Sequence, residues 1–218
     1  YATALEPDTV RLVAIVFQVG VVAFFAPAVC SGSITDERVG NTLPMLRMTV
    51  LPVRTLVAGK IKAGFTYVLI FLASSLPVLL TLAYLEAEAS YWRVGAWIAV
   101  LILTTVTFVV AGLSASSLTP TTGAATAVSY AFAATLCLGT FSIQLFGDRI
   151  SPTLQSVVLS MNPLAAALQI TSDSWFAELP KIFGNRMWQN NLIFLGGLSV
   201  VLLLVSALRV FILFNRRV

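Results

Sequence analysis

The stretch ITDERVGNTLPMLRMTVLPVRTLVAGK, Ile34 to Lys60, carries Asp36, Glu37, Arg38, Arg47, Arg54 and Lys60 between two long apolar runs nearly free of charge. Read as a loop joining two bilayer spans, it decides the fold. The chain has 218 residues, of which 58% are hydrophobic and only 10% charged, with a mean hydropathy of +0.94. An average soluble domain is about 25% charged. A chain this poor in charge cannot cover an apolar core with a water-soluble surface, so composition points to an integral membrane protein.

A helix needs roughly 20 mainly apolar residues to cross the hydrocarbon layer. Working outward from the charged loop, five stretches qualify: about Val10 to Ser31, Ala63 to Leu85, Val94 to Ser116, Gly123 to Phe146, and Asn191 to Leu213. Residues 1–218 therefore read as a single all-α transmembrane domain, a polytopic helix bundle with the loop 32–62 between its first two visible spans. Pro27 and Pro77 fall inside spans, where a missing N–H kinks the helix or opens its ladder. The fourth span is rich in small residues and begins with Gly123-xxx-Ala127, a spacing that lets helices approach closely. Packing within the chain and packing against another subunit both fit, and Gly196-Gly197 reads the same way.

Lysine and arginine set the orientation. The first loop holds Arg38, Arg47, Arg54, Lys60 and Lys62, and the C-terminal end holds Arg209, Arg216 and Arg217. The next loop has Glu86 and Glu88 against Arg93. The first loop and the C-terminus are thus expected on the cytoplasmic side. Trp92, Trp97, Trp175 and Trp188, with Tyr84 and Tyr91, fall near the opposite interface as an aromatic belt. This order starts the first visible span outside. Glu6-Pro7-Asp8 ahead of it does not read as a signal peptide. With Tyr1 rather than Met at the start, one further helix upstream is expected, giving six spans with both ends inside.

Between the last two spans, SPTLQSVVLSMNPLAAALQITS (Ser151–Ser172) holds two apolar helical pieces broken at Asn162-Pro163. Each is too short to cross a bilayer. A re-entrant helical hairpin on the external side fits, provided that protein shields its broken backbone. Pro152 and Pro163 stand where a first helical turn tolerates proline.

The chain lacks histidine, which removes imidazole ligands for haem or zinc and any His-activated nucleophile. Cys30 and Cys137 form no CxxC pair. Gly59-Lys60 is followed by Ile61, without the hydroxyl and upstream glycine of a phosphate-binding loop. No catalytic or metal-binding set emerges, and the chain binds no cofactor by this reading. The net charge of +4 belongs to membrane orientation rather than to nucleic acid. Span interiors are nearly free of the ionisable groups that ion-coupled carriers keep at membrane depth, which favours energy supplied from outside the bilayer.

That focuses attention on the charged loop. Thr35 has the character of an N-cap, with Asp36 and Glu37 in the first turn, where the helix dipole favours negative charge. After Gly40, Thr42 can cap a second helix with Pro44 in its first turn. Leu43, Leu46 and Val50 alternate with Arg47 and Arg54, and Pro52 breaks the run. An amphipathic helix along the cytoplasmic face results. It could rest on anionic lipid or on a protein partner.

The sequence Asp36-Glu37-Arg38, Gly40-Asn41-Thr42-Leu43, Leu46, Pro52-Val53-Arg54 and Val57-Ala58-Gly59-Lys60 resembles the coupling-helix region of type-2, exporter-like ABC transporter permeases. Weaker similarity extends to Gly112–Ser116 and Asn162-Pro163. Two departures stand out: Asn41 separates Gly40 from Thr42, and Pro44 replaces a helix-favouring acidic residue. The resemblance implies six spans, with the visible ones being the second to sixth, and an external re-entrant pair over 151–172. It implies a second permease copy or homologue and two P-loop ATPase subunits that bind ATP and Mg and push on the coupling helix. Asp36, Glu37, Arg38, Thr42, Leu43, Leu46, Arg47 and Arg54 would meet the ATPase, with lipid headgroups as the alternative for Arg47 and Arg54. The location implied is a bacterial cytoplasmic (inner) membrane, and the cargo suited to weakly polar spans is amphipathic or lipid-like. The competing expectation is a structural or accessory subunit of a membrane complex with no transport role.

Overall fold

The computed structural model describes residues 7–40, 55, 58–66, 69–70, 73, 91–171 and 176–215. The named elements are all helical: α1 (Pro7–Ser31), α2 (Thr35–Val39), α3 (Tyr91–Leu118) and α4 (Thr122–Ala134), then a wide π turn (Thr135–Gly139) and a 3-10 stretch (Ser142–Arg149), then α5 (Pro152–Met161), α6 (Pro163–Thr171) and α7 (Met187–Asn215). Residues 58–66 are also helical. There is no strand among the described residues.

Among the described residues, four segments are long and apolar enough to cross a membrane: Leu12–Val39, Trp92–Leu118, Thr122–Gly139 and Met187–Ile212. They mark the chain as an integral membrane protein. They correspond to the first, third, fourth and fifth spans read from sequence. Most of the second, with Pro77, lies outside the described residues, as do Tyr84, Glu86, Glu88, Trp175, Arg216 and Arg217.

The fourth span ends earlier than its apolarity suggests. Past Ala134 the helix widens into the π turn and then tightens into the 3-10 stretch, with Phe146 off helical geometry (φ −112, ψ 18). Leu145 and Phe146 are exposed. Apolar composition continues through Phe146, but the regular hydrogen-bond ladder does not.

Helix faces follow elementary periodicity. In α1 the buried residues Ile15, Val19, Val22, Ala26 and Cys30 recur every three or four positions, while Val13, Val16, Phe17 and Phe24 are exposed. In α7 the buried set is Met187, Asn191, Leu195, Ser199, Ser206 and Val210. One stripe is buried in protein and the remainder is apolar, as expected where lipid replaces water outside. From Thr107 to Ser117, α3 is buried on every side, the pattern of a central helix. Two of its hydroxyls bond back along the helix: Thr104 Oγ1 donates to Val100 O (2.7 Å) and Ser114 Oγ to Val110 O (2.8 Å). Such back-bonding removes the cost of unpaired polar atoms in hydrocarbon.

The chain divides into two compact units. One comprises Tyr1–Val22, Ile70–Thr104 and Thr135–Leu195. Its core is Leu159, Ala165, Leu168, Phe176 and Met187, with Leu12, Phe141, Ile143, Leu164 and Leu179 packed on it. The α5–α6 break falls at Asn162, whose backbone is extended (φ −85, ψ 119) because the following Pro163 disfavours helical geometry there.

The other unit comprises Ala23–Leu69, Thr105–Ala134 and Gly196–Val218. Ile34, Leu113 and Val210 form its apolar centre, with Ile61 against them. Two glycines let helices close on Cys30. A side chain on Gly64 would overlap Cys30 Sγ, and a Cβ on Gly112 would sit 3.1 Å from both Cys30 Cβ and Pro27 O. Pro27 withholds one N–H from the ladder of α1, and in the turn before it Tyr130 Oη donates to Phe24 O (2.9 Å). Thr107 shares a hydrogen bond with Ser199 (2.8 Å), and Ser114 Oγ also donates to Leu202 O (2.9 Å). Bonds of this kind between membrane helices stabilise by about 0.6 kcal/mol each.

In α4 the buried stripe is Ala125, Ser129 and Ala133, whereas Gly123 and Ala127 are exposed. The small-residue pair singled out in the sequence is therefore not the face packed within the chain.

Candidate functional site

The charged side chains after α1 converge on a node in the second unit. α1 ends at Ser31, a turn over Gly32–Ile34 follows, and α2 begins at Thr35. Ser116 near the end of α3 anchors that start, because its Oγ accepts from Ile34 N (2.9 Å) and Thr35 N (3.0 Å). A helix leaves its first N–H groups without intrahelical partners, and here a hydroxyl from another helix supplies one.

Thr35 itself is not the cap that its character suggested. It is the first helical residue and fully buried, and Ile34 occupies the cap position without a side-chain bond. Thr35 Oγ1 turns back to Ser31 O (3.3 Å) and Gly32 O (3.4 Å). Once Ser116 serves the amides, the threonine hydroxyl is left to seal the turn behind it.

Three successive charges then tie α2 to three different segments. Asp36 Oδ1 accepts from Thr122 Oγ1 (2.7 Å) at the first residue of α4, where the helix dipole is positive. Glu37 Oε1 pairs with Lys60 Nζ at 2.7 Å, both side chains being less than a quarter exposed (24% and 17%). Lys60 also donates to Ser33 O. Arg38 Nη1 donates to Thr119 O (2.8 Å) and Nη2 to Ser117 O (3.4 Å). These carbonyls lie at the C-terminal, negative end of α3, where a cation is favoured.

Of the loop residues named from sequence, Asp36, Glu37 and Arg38 thus meet partners inside the chain. Thr42, Leu43, Leu46, Arg47 and Arg54, with Pro44, Val50 and Pro52, lie outside the described residues. The Glu37–Lys60 pair nonetheless clamps the residues on either side of that loop, since α2 leads into it and helix 58–66 follows it.

Sequence reasoning missed the receiving half of the node: Ser116, Ser117, Thr119 and Thr122. The available signal was the hydroxyl-rich run Ser114–Thr122, which interrupts an otherwise apolar chain.

In the first unit, Asn162 joins the α5–α6 break to the π turn. Its Oδ1 accepts from Leu164 N (2.7 Å) and Ala165 N (3.3 Å), capping α6, and its Nδ2 donates to Cys137 O (2.7 Å) and Thr140 Oγ1 (2.9 Å). Pro152 and Pro163 open α5 and α6. Asn191, fully buried in α7, donates from Nδ2 to Ser160 O (3.0 Å).

Among the described residues no three Cys, Asp or Glu side chains gather to hold a metal ion. The α2 node links α2 to the end of α3, the start of α4 and helix 58–66. No protein-family model matches the chain, and no curated protein matches it.

Proposed function

We propose that the chain is the membrane-embedded permease subunit of an ATP-driven exporter of the type-2 ABC class, moving an amphipathic or lipid-like substrate. The observation that carries this reading is the node at α2. Asp36, Glu37 and Arg38 each hold a different segment, so a push delivered to the intervening loop passes to several helices at once. A loop that only rested on lipid would not need its flanks locked to the ends of α3 and α4.

In this reading the amphipathic coupling helix contains Thr42, Leu43, Leu46, Arg47 and Arg54 and faces one of two P-loop ATPase subunits, which bind ATP and Mg. The described spans belong to a six-span bundle in a bacterial cytoplasmic membrane, with the C-terminus in the cytoplasm and α5–α6 as the external re-entrant pair. A second permease copy or homologue completes the pathway. The exposed Gly123 and Ala127 on α4 leave room for close approach by such a helix.

Capture of the chain from native membranes in mild detergent tests the proposal, with a cysteine placed at Arg47 for cross-linking. A P-loop ATPase should co-purify and cross-link. Capture of an intact complex lacking any ATPase would replace this reading with that of an accessory subunit. Reversing Glu37 and Arg38 is the weaker test, because both hold the fold of α2 as well as its charge.

A further inference from the structure

Immediately before α7, in the first unit, the chain reverses over Ile182-Phe183-Gly184-Asn185. Asn185 N donates to Ile182 O (3.0 Å), and the two residues form an isolated antiparallel bridge. Phe183 (φ 52) and Gly184 (φ 73) both lie in the left-handed region, as a type I′ turn requires. Such turns favour Asn-Gly, because a bulky side chain strains that backbone. Among the described residues Phe183 alone, glycine aside, has a positive φ. No burial against the described residues offsets the strain, since Phe183 is 93% exposed. Strain held at a residue that packs on nothing in its own chain points to a contact outside it.

Hydrogen bonds hold the turn against the start of α7. Asn190 Nδ2, in the first turn of that helix, donates to Ile182 O (3.3 Å), and Gln189 Oε1 accepts from Arg186 N (3.0 Å). On the other limb Ser156 Oγ, from α5, donates to Pro180 O (2.8 Å). Phe183 follows directly on the carbonyl that Asn190 binds, so the tip stays level with the first turn of α7. That turn opens the segment Met187–Ile212, long enough and apolar enough to cross a bilayer. Trp188 lies there with its ring centroid 6.3 Å from that of Trp92, the first residue of the spanning segment Trp92–Leu118. Tryptophans at the starts of spans mark the headgroup level of the membrane.

We infer that the Phe183 turn is a membrane-anchoring finger, whose ring enters the boundary between lipid headgroups and acyl chains beside α7. Three features select lipid as the occupant. The tip is apolar and stands at headgroup depth. Its backbone is pinned to a spanning helix, so the ring is presented to the bilayer without further ordering. Lys181, exposed two residues earlier, can keep its ammonium among the headgroups while an apolar neighbour inserts. Burial of the ring in that boundary offsets the strain that a phenylalanine brings to this turn. Through the Ser156 bond, the finger also ties α5 to a fixed depth in the membrane. The inference is independent of which partner drives the chain.

Phe183→Trp, reconstituted in phosphatidylcholine vesicles, reads this through the fluorescence that it adds to that of the unaltered protein. Lipid brominated near the headgroup end of its acyl chains should remove most of the added emission, and iodide in the water should remove little. Added emission quenched by iodide and untouched by the brominated lipid would overturn the finger, since the ring then stands in water. Added emission quenched by neither would overturn it in favour of a second copy of the chain covering the ring. Phe183→Asn gives a second readout, because asparagine suits the left-handed backbone and keeps the turn while removing the ring. Hydrogen exchange over residues 182–186 in vesicles should become severalfold faster in this variant, with α7 unchanged. Exchange that stays the same or slows would show that the ring has no hold on the membrane, and would overturn the inference.

Discussion

Glu37 Oε1 lies 2.7 Å from Lys60 Nζ and joins α2 to helix 58–66 across the intervening loop. Both side chains are largely shielded, so removing one partner leaves a charge with reduced access to water. Lys60→Met is expected to destabilise the protein by roughly 1–3 kcal/mol. Glu37→Gln, which preserves an acceptor for Lys60, should cost less. In a double-mutant cycle read by thermal unfolding in detergent, Glu37→Gln/Lys60→Met should be more stable than the sum of the single changes. Strict additivity would show that the pair contributes nothing.

Ser116 presents one hydroxyl to two amides of the α2 start. Ser116→Ala leaves Ile34 N and Thr35 N without that acceptor in a buried place. The expected cost is about 1–2 kcal/mol, the range for a lost helix cap. Hydrogen exchange should accelerate over residues 34–40 and stay unchanged over α5 and α6. Unaltered protection at Ile34 and Thr35 would show that the hydroxyl is dispensable.

Gly64 sits where any side chain would overlap Cys30 Sγ. Gly64→Ala is therefore expected to destabilise by about 1–3 kcal/mol, as overpacking does. Cys30→Ala in the same protein should restore most of that loss, because the sulfur is the atom in the way. Thermal unfolding of the four proteins in the cycle decides this. A failure of Cys30→Ala to relieve Gly64→Ala would place the clash elsewhere.

Asn162 acts with both ends of its amide, as an acceptor toward α6 and a donor toward the π turn. Asn162→Asp keeps the cap on Leu164 N but sets an acceptor-only carboxylate against Cys137 O. Asn162→Ser keeps a cap and loses the reach to the π turn. Asn162→Ala loses both. Serine is expected to be the mildest change, alanine to cost about 2–4 kcal/mol by summing the unmade bonds, and aspartate to be at least as harmful as alanine. Protease resistance of the α5–α6 segment gives the order. Alanine ranking above serine would mean that the cap carries no weight.

Much of the architecture was legible in the sequence because membrane burial leaves a coarse, strong record. Runs of apolar residues the length of a bilayer marked four of the described helices, and the Asn162-Pro163 pair marked the break between α5 and α6, since proline forbids the local ladder. Helix continuity was less legible: the apolar run past Ala134 looked like more span, but hydropathy cannot distinguish an α-helix from a π turn followed by a 3-10 stretch.

The sequence by itself determined that Asp36, Glu37 and Arg38 are out of place in so apolar a chain and require partners. Only the tertiary structure decided which ones: Thr122, Lys60 and the carbonyls of Ser117 and Thr119, each brought in from a distant part of the chain. It also decided that Ser116, not Thr35, serves the amides that open α2. A charge announces its need locally, through its cost in an apolar setting. Its partner is fixed only when helices pack and bring together residues that no sequence spacing relates.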